Sequence, residues 1–237
     1  RTLTEDQWDA PSLCPGWTCK DALIHVTAAE RAFAEWTPSP EPPMAAITTH
    51  ARELRRQRGE QVMDAFDQIT AQRLEQLRSM SEADLDAVCW SPAGQGLYRR
   101  YMEIRVFDHW AHEHDIRIPL GLPARVDGIG ARMSINEAHI AFGYLVGKRA
   151  ALPDGTSATA HVTGPAGRDL HAVVDGRAKV VDHLDAPTCA ITTDLLTFEL
   201  LCCGRIDPAG PLEDGRVTLA GDAVLAERLA RNLAFTI

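Results

Sequence analysis

The chain has 237 residues, 45% of them hydrophobic and 24% charged, and a formal net charge of −9. That is the make-up of a soluble globular protein, long enough for one large domain or two small ones. An acidic chain with no basic block excludes nucleic acid as a natural partner. No apolar run approaches the roughly 20 residues that span a bilayer, so no membrane partner is expected either.

Residues 4–10 read as the end of a short helix. Pro11-Ser12-Leu13-Cys14-Pro15-Gly16-Trp17 is a loop, marked by two prolines and a glycine. Thr18 followed by Asp21 has the form of a capping box, and a helix is expected from there to about Trp36. Its apolar positions Ala22, Val26, Ala29, Phe33 and Trp36 keep the three-four spacing of a core face. His25 lies at the edge of that face. The segment 37–43 holds four prolines and is a loop. Val62, Phe66, Ile69, Leu74 and Leu77 predict a long helix over about 59–80. The basic run Arg55-Arg56-Gln57-Arg58 just before it reads as a solvated face. Ser81 to Leu85 is a turn with a fresh cap, and 91–96 a loop.

The chemistry concentrates in Arg105-Val106-Phe107-Asp108-His109-Trp110-Ala111-His112-Glu113-His114-Asp115-Ile116-Arg117. No Gly or Pro interrupts it, and a helix over about 98–116 is expected. Residues four apart share a helix face, so Asp108 and His112 can address one ion, and carboxylate and imidazole are common ligands of divalent transition metals. A site needs a third ligand from elsewhere. In a competing register His109 pairs with His112 while Asp108 orients a ligand. His114 and Asp115 read as helix-end caps or loop contacts, and Asp115 as an ion-pair partner for Arg117 or Arg105. Trp17 and Trp110 belong to the core or to a pocket wall.

A further helix is expected over about 128–148, completing a four-helix bundle. Composition changes at Ala151-Leu152-Pro153-Asp154-Gly155, which sets the expected boundary: domain 1–150, then domain 151–237. Beyond it, strands are expected at 159–163, 170–174, 179–181, 189–192 and 216–219, with a turn at Asp175-Gly176. Helices are expected after Thr193-Asp194 and over 222–233. This makes the fold class α+β in two domains. The six cysteines form no CxxC pair and no zinc-finger pattern, so they read as reduced thiols of a cytoplasmic protein. The chain opens on Arg rather than Met, so a short N-terminal piece is expected ahead of it.

Two of these segments, Pro11 through His25 and Arg105-Val106-Phe107-Asp108 with His112-Glu113-His114-Asp115-Ile116-Arg117, resemble the signatures of the mycothiol-dependent maleylpyruvate isomerase family. Thr193-Asp194-Leu195-Leu196 through Cys203-Gly204-Arg205, then Gly221-Asp222, resembles that family's second domain. The resemblance implies a DinB-like four-helix bundle binding a divalent metal, usually zinc, followed by a sterol-carrier-protein-like α+β domain. It implies metal ligands at His25, Asp108 and His112, with aspartate where the isomerase has glutamate, and a catalytic arginine at Arg205. Three protein ligands leave a coordination position open, which is the catalytic rather than the structural arrangement.

The implied function is a metal-dependent enzyme that activates a low-molecular-weight thiol, mycothiol, as a metal-bound thiolate for isomerisation or S-transfer on a small electrophile. The expected assembly is a monomer or homodimer. Two alternatives stand beside it: a non-catalytic metal- or lipid-binding protein, and a metal-dependent hydrolase, for which Glu113 is a poor general base.

Overall fold

The computed structural model describes residues 3–236 in two compact units, 1–123 and 124–237. The first is helical: α1 (Glu5–Asp9), α2 (Cys19–Glu35), α3 (Met44–Leu54), α4 (Gly59–Ser79), α5 (Glu82–Leu85) and α6 (Tyr98–Arg117), with a two-stranded ribbon of β1 (Val88–Cys89) and β2 (Gly96–Leu97) leading into α6. Helix α2 is the central rod and packs on α3, α4 and α6. Its burial explains the choice of residues. Leu23, Ile24, Val26 and Ala28 join Trp8, Leu54, Val62 and Ala65 in one apolar cluster, while Ala29 and Phe33 join Cys89, Tyr98 and Tyr101 in a second. The close approach of α1 to α4 depends on Gly59, where a Cβ would fall 2.1 Å from the Trp8 ring.

The second unit holds α7 (Gly128–Tyr144), which runs into a π-turn at Leu145–Arg149. There follow β3 (Ser157–Thr163), β4 (Asp169–Asp175), β5 (Arg177–Val181), β6 (Cys189–Asp194), α8 (Leu195–Cys202), α9 (Ala209–Glu213), β7 (Val217–Gly221) and α10 (Ala223–Ala230). The sheet order is β5-β4-β3-β6-β7; β3 and β6 are parallel and every other pair is antiparallel. Gly176, at φ 65, turns β4 into β5 where the Asp-Gly pair predicts a tight hairpin. Helix α7 lies on β4 and β5, and α10 on β6 and β7.

Two expectations are corrected. The boundary falls at Pro123/Ala124 instead of 150/151, because α7 packs against the sheet and α8. The fourth helix of the bundle is therefore α3, not 128–148. Its apolar stripe is short, Ile47, Ala51 and Leu54, and of these only Leu54 is fully buried. The strand and helix expectations of the second unit hold to within a few residues, with α9 the element that sequence reasoning missed.

Candidate metal centre

Helix α2 carries His25 and α6 carries Asp108 and His112. Thr18 caps α2 as expected: its hydroxyl accepts from the Asp21 amide at 3.1 Å, and the Asp21 carboxylate accepts from the Thr18 amide at 3.1 Å. The loop before it is closed on itself. Ser12 N donates to Trp17 O, and Cys19 N to Ala10 O. Trp17 N donates to Cys14 O across Pro15-Gly16, with Gly16 at φ 79; proline then glycine is what a type II turn requires. Leu13 N donates to Asp115 O at 3.0 Å, tying the loop to α6. Trp17 thereby stacks on His112, ring centroids 5.7 Å apart and planes 12° apart, and leans on His25 at 5.3 Å.

The three expected ligands converge. One donor atom from each of His25, Asp108 and His112 lies within 4.8 Å of the others. His25 Nε2 is 3.5 Å from Asp108 Oδ2, and His112 Nε2 is 3.6 Å from Asp108 Oδ1. Two donors each about 2.0–2.1 Å from a tetrahedral zinc sit roughly 3.3 Å apart. Each imidazole is within a few tenths of an ångström of that spacing from an Asp108 oxygen, but a different oxygen in each case, and the three donor atoms together lie within 4.8 Å, so the side chains would draw in on such an ion; the donor set suits it.

His112 is fixed from behind. Its Nδ1 is 2.9 Å from Asp115 Oδ2, and Asp115 is 1% exposed. A carboxylate on the far nitrogen of a ligating histidine sets its tautomer and leaves Nε2 as the donor. This corrects the expectation that the Asp115 side chain pairs with Arg117 or Arg105: Arg117 instead bonds Pro123 O and Glu113. That pairing also takes up the Glu113 carboxylate. The spacing of His112 and Asp115, three apart on a helix, was the signal for the contact.

Asp108 is anchored too. Arg105 Nη1 donates to its Oδ2 at 2.5 Å, while Arg105 Nε and Nη2 donate to Glu30 Oε1 at 3.1 and 3.0 Å. Arg73 Nε reaches Glu30 Oε2 at 3.3 Å, and its Nη2 donates to Tyr98 Oη at 2.7 Å. The Arg105 guanidinium also stands 5.2 Å over the Phe33 ring. Burial alone raises the Glu30 pKa; the His109 hydrogen bond and the charges of Arg105 and Arg73 outweigh it and hold Glu30 down to about 2. Burial opposes ionisation of Asp108 as well, but Arg105 and the neighbouring imidazoles keep its carboxyl well below the usual range.

His109, the competing ligand, faces Glu30 at 3.1 Å and lies outside the converging group. His114 is packed on Trp110 with Nδ1 bonded to the Trp110 carbonyl, and burial lowers its pKa. Cys19 is fully buried, which raises its pKa; all six cysteines are free. Arg205 belongs to the second unit, in the turn after α8 made by Gly204 at φ 63. Its Nη1 donates to Cys203 O at 2.8 Å.

The family model for the mycothiol maleylpyruvate isomerase N-terminal domain matches residues 1–117, the stretch that contains all three candidate ligands. Residues 1–117 belong to the family of mycothiol maleylpyruvate isomerase N-terminal domains. A crystal structure of the mycothiol-dependent maleylpyruvate isomerase matches 86% of this chain and 81% of its own, with TM-score 0.59 and 14% identity. A histidine-to-alanine variant of that isomerase matches 92% of this chain and 84% of its own, with TM-score 0.58 and 14% identity. At that identity the likeness is one of fold. A sterol carrier protein 2-like protein from Aedes aegypti aligns with 42% of this chain and 96% of its own, with TM-score 0.34 and 19% identity. No curated protein matches by sequence. The α+β class, a helical N-terminal unit followed by a unit of helices on a five-stranded sheet, is the expected one.

Proposed function

We propose that this protein is a metal-dependent isomerase of the maleylpyruvate isomerase type, using mycothiol as its thiol and zinc as its metal. The carrying observation is the convergence of His25, Asp108 and His112 from two helices of a domain of that family. In this reading the three side chains hold the ion and leave a position open to an exogenous ligand. A divalent cation there lowers the pKa of a thiol that joins it, giving a thiolate able to add to an activated double bond, permit rotation and leave, or to stay attached to an electrophile. His112 presents Nε2 because Asp115 holds its other nitrogen. Trp17 walls the site with a flat apolar face beside both imidazoles and limits water there. Arg205 is assigned to the substrate: a guanidinium binds a carboxylate bidentately and stabilises charge developing on an adjacent enolate. The partners are then a small-molecule thiol and a small electrophile, and the assembly a monomer or homodimer. A cytoplasmic setting fits six free cysteines, and no described helix is long and apolar enough to cross a membrane.

The test begins with elemental analysis of the purified protein beside a His25→Ala variant. About one divalent metal per chain, lost or greatly weakened in the variant, supports the site; equal metal in both removes His25 from it. Turnover of maleylpyruvate with and without mycothiol then decides the reaction. Isomerisation only with the thiol supports the reading, an accumulating thioether makes the enzyme an S-transferase, and isomerisation independent of thiol removes the cofactor.

A further inference from the structure

Asp108 offers two oxygens, and the metal reading leaves open how they are used. Arg105 is committed on both sides. Its Nε and Nη2 grip Glu30 Oε1, and its Nη1 donates to Asp108 Oδ2. Glu30 cannot yield, since Arg73 and His109 hold it as well and it is 6% exposed. Asp108 Oδ1 faces His112 Nε2 at 3.6 Å without a guanidinium proton, whereas Oδ2, which takes the Arg105 proton, lies 3.5 Å from His25 Nε2. A planar fork with fixed donor directions makes such a bridge; a lysine ammonium would supply only a point charge.

We propose that Arg105, braced by Glu30, is a positioning residue of the metal centre. It competes with the ion for Asp108 Oδ2 and so leaves Oδ1 as the unshared carboxylate donor. The short aspartate is kept from swinging onto the ion with both oxygens, and a coordination position stays free for the exogenous thiol. Drawing electron density away from Asp108 leaves the ion less neutralised, and so more acidifying toward what binds it. The inference rests on the metal reading and adds to it a rule for how one ligand is presented.

The readouts are zinc affinity by chelator competition, the visible spectrum of the cobalt(II)-loaded protein and an isotope-edited infrared spectrum of the zinc-loaded parent with labelled aspartate. All are read on folded protein below its melting temperature. In Arg105→Gln the freed Oδ2 joins the ion, so the cobalt d–d bands weaken as coordination number rises. In Glu30→Gln, nearly isosteric and able to accept from Arg105, the loosened brace costs about tenfold in zinc affinity, at the low end for partners of metal ligands. The parent's infrared spectrum, which needs no variant to fold, shows the stretching pattern of a one-oxygen carboxylate ligand. Variants that are merely less heat-stable, with parental cobalt spectrum and zinc affinity, overturn the proposal and leave the metal reading intact. A two-oxygen pattern in the parent overturns it too. A parent that binds no divalent metal removes both at once.

Discussion

Two buried glutamates, one in each unit, show how partners rather than burial decide charge. Glu30 on α2 is 6% exposed, meets Arg73, Arg105 and His109, and is held ionised down to about 2. Glu199 on α8 is 0% exposed and, among the described residues, neither of its oxygens completes a hydrogen bond. Burial, joined by the charge of Glu137 on α7, pushes it up to about 8; the Ser134 hydroxyl lies near enough to pull it down a little without completing a bond. Cys202, fully buried on the same helix, is driven upward by the same burial and by Glu199 itself. The first carboxylate therefore works as an anion that organises cations. The second sits at neutral pH as a protonated, neutral group.

The comparison breaks most visibly at Glu30. Glu30→Leu leaves two buried guanidiniums with one anionic neighbour between them, and about 3–5 kcal/mol of unfolding free energy should be lost. Denaturant titration followed by tryptophan fluorescence reads this unit alone, because all five tryptophans (Trp8, Trp17, Trp36, Trp90 and Trp110) lie within 1–123.

The pH dependences should run in opposite directions. Glu199, raised above the roughly 4.3 of an unfolded glutamate, lends stability that is complete below that value and is lost as pH rises through about 8. Across that window the second unit should lose on the order of 5 kcal/mol, read by hydrogen exchange of β3, β4 and β6 amides. Glu199→Gln should remove the slope. Glu30, lowered to about 2, lends stability that is complete above the unfolded value and is lost as pH falls from about 4.3 through 2, with tryptophan fluorescence the probe. A first unit insensitive to acid in that range would mean that the Arg73–Glu30–Arg105 cluster does not hold its charge as described.

Smaller effects sharpen the picture of the site. Asp115→Asn should weaken metal binding about 10- to 100-fold without unfolding the bundle, measured by chelator competition. Thr18→Ala should cost about 1 kcal/mol through loss of the α2 cap, seen in thermal unfolding.

Much of this molecule was readable along the chain. Caps and periodicity placed α2 and α4 to within two residues, since each buries an apolar face, and the run from Tyr98 to Arg117, free of Gly and Pro, placed α6. The four-residue spacing of Asp108 and His112 is a property of any α-helix. His25 entered through the family motif, because spacing says nothing about what two separate helices bring together. What stayed hidden depends on contacts distant in sequence: Glu30 with Arg105, 75 residues apart, and the burial of Glu199 beneath α7. Helix α3 was missed because its short apolar stripe lies between Pro42-Pro43 and the basic run Arg55-Arg56-Gln57-Arg58. The boundary was set too late because α7, apolar enough for either unit, declares its side only through the sheet it covers.

The tie between Leu13 and Asp115 has a consequence for biosynthesis. Trp17 and His25 emerge from the ribosome early, yet the backbone oxygen that tethers the Trp17 loop and the carboxylate that steers His112 belong to one residue made ninety or more peptide bonds later. Closing a loop that long is slow compared with forming its helices. The nascent chain should therefore hold its early helices ready and gain affinity for metal in a single late step, once the end of α6 has left the exit tunnel.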